Sequence, residues 1–154
     1  MATYYLDTSA VVKRYTREQG TAWVQDIMAR HRGHDLYTVR LTGPEAVAAL
    51  TRKVRVGAVS AADAARSSRT FRRHWQRRLL VVEVTAVIAD RAMDLANAHG
   101  LRGYDAVHLA AALAVEDARR VAGLPTLTFV SADDNQRQAA LAEGLLIENP
   151  NAYP

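Results

Sequence analysis

Cysteine is absent from this chain of 154 residues. That excludes disulfides, thiolate metal sites and a cysteine nucleophile, and it fits a reducing compartment. No apolar run approaches the ~20 residues that cross a bilayer as a helix. The opening Met-Ala-Thr-Tyr-Tyr-Leu-Asp has no basic leader and meets a carboxylate at Asp7, so neither a secretory signal nor a membrane anchor is expected there, and the expected location is the cytoplasm. Repeats and low-complexity linkers are also lacking. What is present, 49% hydrophobic and 23% charged residues, is the composition of a globular protein rather than a disordered one. The length suits a single domain over residues 1–154, able to bury ~70% of the surface its unfolded chain exposes.

Lysine is scarce, since eighteen of the twenty basic residues are arginine. The overall balance of +4 is unevenly spread: between residues 46 and 82 stand Arg52, Lys53, Arg55, Arg66, Arg69, Arg72, Arg73, Arg77 and Arg78 against Asp63 alone. Nine cations against one acid leave −4 for everything else. Such a separation suits a polyanionic partner held by one region while chemistry or metal binding proceeds at another. A solvated helical face is the plainer reading of the same run.

Strand-like and helix-like segments alternate. Strands are expected at residues 3–6, 36–39, 79–84, 126–130 and 145–147, and helices from Ser9, over 18–29, from 42 to a stop at Gly57, and over 61–76, 87–99, 105–119 and 133–142. Helix 61–76 carries Arg66, Arg69, Arg73 and Arg77 at three- and four-residue steps, with Phe71, Trp75 and Leu79 on another face. The pattern is that of a doubly wound, mainly parallel α/β sheet with a basic helical-hairpin insertion at about residues 44–78.

Four acids fall at element junctions. Asp7 ends the first strand, Glu45 and Asp105 lie in first helical turns, and Asp133, with Asp134 beside it, follows the fourth strand. In a parallel sheet the carboxyl ends of the strands share one edge, where such folds build their sites, so Asp7 and Asp133 are expected as neighbours. For Glu45 and Asp105 the pattern alone implies no convergence. Each acid also has a structural reading. Thr42 to Glu45 has capping-box spacing, Ser131 to Asp134 a weaker version of it, and Asp7 can cap the turn after its strand. Caps do not explain why residues 3–9 and 126–136 contain no lysine or arginine. Carboxylates sharing a pocket without cationic side chains stay ionised together only if a cation supplies the missing charge. All-oxygen ligands select Mg²⁺ or Mn²⁺ over zinc, and such an ion supports hydrolysis of a phosphodiester. With a basic hairpin to bind a nucleic-acid backbone, the expected reaction is metal-assisted nuclease cleavage.

Four stretches, Tyr5-Leu-Asp-Thr-Ser-Ala-Val-Val-Lys13, Glu45-Ala-Val-Ala-Ala-Leu50, Tyr104-Asp-Ala-Val-His-Leu-Ala110 and Phe129-Val-Ser-Ala-Asp-Asp134, together resemble the PIN-domain nucleases, in particular the small VapC-like toxins of toxin–antitoxin pairs. No stretch is strongly specific alone; their order and spacing over nearly the whole chain carry the resemblance. It implies a five-stranded parallel sheet between helices and a Mg²⁺- or Mn²⁺-dependent endoribonuclease, usually a homodimer silenced by a VapB-like antitoxin. Carried over by position, the acidic tetrad is Asp7, Glu45, Asp105 and Asp133. Asp7, Asp105 and Asp133 would hold the ion, with Glu45 and Asp134 as further ligands, some through water. Ser9 and Ser131 match hydroxyl positions that orient carboxylates or water. For Asp134 a helix cap is the favoured reading. Pro44 directly before Glu45 departs from the usual pattern.

His108, three residues after Asp105, lies on the same helical side and can act as acid, base or partner behind a ligand, although a structural role is the simpler reading. His31 and His34 read as solvated, Trp75 and Phe71 as core or contact residues rather than base-stacking platforms, and Tyr104 as packing beside the site. A haloacid-dehalogenase-type phosphatase would want an acid at Ser9, and a phosphoacceptor domain a late lysine, whereas the last one is Lys53. A structure-specific DNA nuclease would need a longer chain. The rival from another class is a catalytically silent PIN fold that binds RNA or protein.

Overall fold

The computed structural model describes all 154 residues. Five strands, β1 (Thr3–Leu6), β2 (Asp35–Val39), β3 (Leu80–Val82), β4 (Thr128–Val130) and β5 (Leu146–Glu148), form one sheet in the order β3-β2-β1-β4-β5. Every pairing is parallel, with Tyr5 opposite Tyr37 on one side and Phe129 on the other. The helices are α1 (Thr8–Lys13), α2 (Thr21–Ile27), α3 (Thr42–Arg55), α4 (Ala61–Arg77), α5 (Ala86–His99), α6 (Gly103–Val121) and α7 (Asp134–Ala142). None is long and apolar enough to cross a membrane.

Side chains alternate across a strand, so a sheet covered on both faces needs apolar residues at consecutive positions. Tyr5 and Phe129 enter one core, with Ile88, Leu95, Leu109 and Ala140 from α5, α6 and α7. Their neighbours Leu6 and Val130 enter the other, with Val11, Val24, Ala46 and Phe71 from α1 to α4. Helix α6 is covered on most sides, as its alanine-rich sequence requires, and its buried Glu116 accepts a hydrogen bond from the Leu127 amide (3.0 Å) at the entry to β4. The helical hairpin is α3 and α4, separated at Gly57 (φ +73°) and restarted by Ser60, whose hydroxyl accepts from the Asp63 amide. Phe71 is 2% exposed, a burial worth about 1.5–3 kcal/mol, so the hairpin is packed onto the sheet rather than projecting from it.

Several boundaries depart from the sequence pattern by one to three residues, two of them for clear reasons. Helix α2 starts three residues late because the chain turns through Gly20 at φ +81°. Leu79 joins the core with its amide bonded to the His74 carbonyl, so β3 begins one residue later and ends at Val82. Gly20 is also a close approach: a Cβ there would lie 2.2 Å from the Pro150 carbonyl oxygen. Gly20→Ala should therefore cost about 2–3 kcal/mol through clash and left-handed strain, read as a lower urea midpoint with an unchanged slope.

The strand order places a topological switch between β1 and β4. The chain goes from β1 to β2 and β3 on one side and to β4 and β5 on the other, which leaves a crevice at the carboxyl ends of these two strands.

Candidate active site

Asp7 follows β1 and Ser131 to Asp133 follow β4, so the switch point brings the two junctions together. The Asp7 amide donates to the Val130 carbonyl (3.1 Å). Hydroxyls then clasp the junctions. Ser9 Oγ donates to Asp7 Oδ1 (2.7 Å) and accepts from the Ala132 amide (2.9 Å), while Ser131 Oγ donates to Asp7 Oδ2 (2.6 Å) and accepts from the Asp133 amide (3.0 Å). Asp7 also caps α1 through the Ala10 amide (2.9 Å), so the capping and site readings hold together. It is 4% exposed, and burial raises its carboxyl above the ordinary range even though His108, both serines and the Ala10 amide pull the other way.

Glu45 arrives from the first turn of α3, immediately after β2. The capping box expected here does not form. Thr42 is buried and its hydroxyl pairs with that of Thr38 (2.7 Å), leaving Glu45 free to turn inward. Glu45 Oε1 accepts from Thr8 Oγ1 (2.9 Å) and from His108 Nε2 (3.0 Å), and His108 Nδ1 meets the Tyr5 hydroxyl (3.1 Å). With Nε2–H donating to the carboxylate, Nδ1 accepts from Tyr5, so the buried ring is fixed at both nitrogens. Burial works against ionisation of Glu45, but His108, Thr8 and the charge of Arg52 outweigh it and hold the carboxyl below its usual range. Pro44 sits within the first turn, where a missing N–H is tolerated, and does not turn Glu45 away.

Asp105 lies in the first turn of α6 and is half-buried. Its backbone carbonyl accepts from Gln136 Nε2 (3.2 Å), which ties α6 to α7. Burial, then the charges of Asp133 and Asp7, hold its carboxyl above the usual range, with His108 and Arg102 opposing. Asp133 caps α7 through the Gln136 amide (2.9 Å). All four expected acids, with Ser9, line one open cavity of about 490 Å³; Ser131 supports it from beneath through Asp7.

Several expectations need correction. Asp134 is not the cap of α7, a role taken by Asp133; its carboxylate is 73% exposed and pairs with Arg137 (3.1 Å) outside the cavity. Asp134→Asn should leave catalysis unchanged and shift stability by no more than about 0.5 kcal/mol, as RNA-cleavage and melting assays would show. The cavity is not free of protein cations, because tertiary structure brings Lys13, Arg52, Lys53 and Arg102 to its rim. Both lysines reach Glu18 (3.8 and 3.7 Å), and none of the four cations forms an ion pair with the tetrad. The arginines expected to hold substrate, Arg66, Arg69, Arg73 and Arg77, line no part of this cavity. Helix α4 runs back to the amino edge where β3 begins, carrying its last turns away from the acids. Phe71 is core, and Trp75 packs over Gly43, where a Cβ would lie 3.2 Å from the indole.

Two contributors were not expected. Thr8 showed no signal beyond its place after Asp7. Gln136 was foreshadowed by the D-x-x-Q spacing of a capping box from Asp133, but its side chain reaches Asp105 and Ser131 instead.

No group of three or more His, Asp or Glu side chains is arranged as a ready-made metal cage. The donor set nevertheless fits a hard divalent ion: the carboxylates supply oxygen only, and the repulsion from Asp133 and Asp7 that adds to burial in raising Asp105 is what a bound cation would relieve.

A PIN-domain profile matches residues 4–141. Two Mycobacterium tuberculosis proteins, Ribonuclease VapC45 of strain CDC 1551 / Oshkosh and Ribonuclease VapC49 of strain ATCC 25618 / H37Rv, are each 40% identical over 118 residues, covering 76% of this chain and 79% of theirs. Among solved structures, PAE2754 from Pyrobaculum aerophilum superposes with a TM-score of 0.63 at 23% identity, over 95% of this chain and 83% of its own. The Rickettsia felis VapBC2 structure, bound to a promoter DNA fragment, gives 0.62 at 13% identity over 96% and 98%. With the profile spanning the switch-point crevice and all four junction acids, the chain belongs to the PIN-domain family.

Proposed function

We propose that the chain is a divalent-metal-dependent endoribonuclease that hydrolyses RNA phosphodiester bonds as the toxin of a toxin–antitoxin pair, acting in the cytoplasm as a homodimer restrained by a VapB-like antitoxin. The observation that carries the reading is the convergence of Asp7, Glu45, Asp105 and Asp133 on one cavity, in which burial and then the charges of Asp133 and Asp7 raise Asp105. The relatives at 40% identity, both named ribonuclease VapC, support RNA as substrate and a toxin's role.

Asp7, Asp105 and Asp133 are the residues that would hold the ion, Mg²⁺ or Mn²⁺ in its place. Bound there, it would supply a Lewis acid for the phosphate and lower the pKa of water. Ser9 and Ser131 keep both Asp7 oxygens oriented. Glu45, whose partners hold its carboxyl below the usual range against burial, accepts a hydrogen bond from the attacking water and orients it. Gln136 fixes the first turn of α6 so that Asp105 faces Asp133.

Purified protein should cleave total RNA with Mg²⁺ or Mn²⁺ and stop in EDTA; equal cleavage in EDTA would overturn the metal mechanism. RNA binding without cleavage under either ion would favour a silent binding module. Expression alone should arrest growth, with relief on coexpression of the small neighbouring reading frame. Failure of both would remove the toxin role and leave the nuclease.

A further inference from the structure

At the opposite edge of the sheet the chain assembles a second charged cavity. Arg30 belongs to the short turn Arg30–Arg32 ahead of β2, Arg73, Arg77 and Arg78 come from the end of α4 ahead of β3, and Arg14 follows α1. Together with His74 they line an open cavity of about 310 Å³ in which no acidic side chain takes part. None of the five arginines is in an ion pair.

Arginines near helix carboxyl ends have a structural use, since they offset the dipole and satisfy terminal carbonyls. Arg78 does this: Nε donates to the carbonyl of Met28, the last residue of the α2 region, and Nη1 to that of His34 (3.0 and 3.1 Å). That use does not account for the rest. Arg78 Nη2 and Arg14 Nε are buried with no hydrogen-bond partner, a state that ordinarily costs about 1–3 kcal/mol per group. Arg73 reaches no acceptor better than the Thr70 hydroxyl at 3.4 Å. The cations also repel one another. Burial and then the charge of Arg30 push Arg78 below its ordinary range, with Asp35 opposing, and burial followed by Arg14, Arg73 and Arg78 pushes His74 down. The His74 ring is tied through Nδ1 to the Tyr15 hydroxyl (2.8 Å). A cavity with five guanidinium groups, donors lacking acceptors and no carboxylate is short of one thing, a multivalent oxyanion. Guanidinium matches phosphate through paired N–H···O bonds.

We propose that this cavity is a phosphate-binding site that holds a backbone phosphate of the RNA far from the bond being cut. The proposal rests on the ribonuclease reading and extends it: acids at the carboxyl edge cleave, and guanidinium groups at the amino edge anchor. Arg73 and Arg77 would then bind substrate after all, at this second place.

The test is fluorescence anisotropy of a labelled single-stranded RNA in EDTA, with wild type, Arg73→Ala, Arg77→Ala and Arg120→Ala. Arg73 and Arg77 are exposed, so their removal spares the fold. Arg120, paired with Asp117 on α6, removes the same charge elsewhere. Each cavity variant should weaken binding about fivefold at 0.1 M salt and flatten the log–log salt slope by about 0.7, the worth of one single-strand phosphate contact. Arg120→Ala should alter neither. Inorganic phosphate should raise the melting temperature of wild type but not of Arg77→Ala. Wild-type RNA binding with unchanged cavity variants would overturn this inference alone, and so would a phosphate effect without an RNA effect, which would mark a small-anion site. A wild type that binds no RNA would overturn the ribonuclease reading as well.

Discussion

Asp7→Asn should abolish RNA cleavage while making the metal-free protein more stable. The two effects share a cause. Asp7 is buried, and desolvation of its carboxylate outweighs His108, the two serine hydroxyls and the Ala10 amide that favour the charge. Asparagine keeps an oxygen for Ser9 and the Ala10 amide. Its amide group would face Ser131 Oγ, which can accept from it and turn its own proton to Gln136 Oε1, 3.2 Å away. Removing the charge should add about 1 kcal/mol, or roughly 2–4 °C in Tm for a chain of this size. Cleavage should fall by more than the 10–100-fold typical of a residue that only supports a ligand. Mg²⁺ should raise the Tm of wild type by mass action and leave that of the variant unmoved. A variant that cleaves normally, or is stabilised by Mg²⁺ as wild type is, would contradict the role assigned to Asp7.

The second large effect is expected at His108, a positioning residue that acts through Glu45. His108→Leu removes a donor to the Glu45 carboxylate and an acceptor for the Tyr5 hydroxyl. Loss of activity should be about 10–100-fold, with a stability cost of about 1–3 kcal/mol for the orphaned buried hydroxyl. A loss caused by misfolding alone would scale kcat uniformly with pH. Here the acid limb of the pH–rate profile should move upward, because His108 is the main influence holding Glu45 below its ordinary range against burial. His108→Gln, which can donate to Glu45 and accept from Tyr5, should restore much of the rate. An unmoved acid limb together with no rescue by glutamine would show that His108 merely fills space.

How far the sequence foretold this site differs from residue to residue, for physical reasons. Alternation of β and α segments implies parallel pairing, and parallel pairing puts strand ends on one edge, so the pattern alone makes Asp7 and Asp133 neighbours. His108 was legible only as a residue on the Asp105 side of its helix, with a structural role the simpler reading; its bond to Glu45 comes from the packing of α3 against α6 and has no local signal. Glu45 was ambiguous, since Thr-x-x-Glu spacing serves caps and sites equally. The competition was decided by Thr38, four residues upstream in β2, which captures the Thr42 hydroxyl. Asp133 and Asp134 show the same limitation of local pattern: either could cap α7, and only the backbone geometry after β4 selects Asp133. Charge density misled most. The arginines of α4 are conspicuous in the chain, yet the helix must return to the amino edge to feed β3, whereas Lys13 of α1, Arg52 and Lys53 of α3 and Arg102 just before α6 reach the acidic rim.

The central claim is that acids from four separate junctions act as one cation-binding cavity. Its most direct measurement is calorimetric titration of chelator-treated protein with Mn²⁺, using wild type, Asp7→Asn, Asp105→Asn and Asp134→Asn. Wild type and Asp134→Asn should bind the ion alike, and the Asp7 and Asp105 variants should lose it. No binding by wild type, or undiminished binding by the Asp7 and Asp105 variants, would contradict the account.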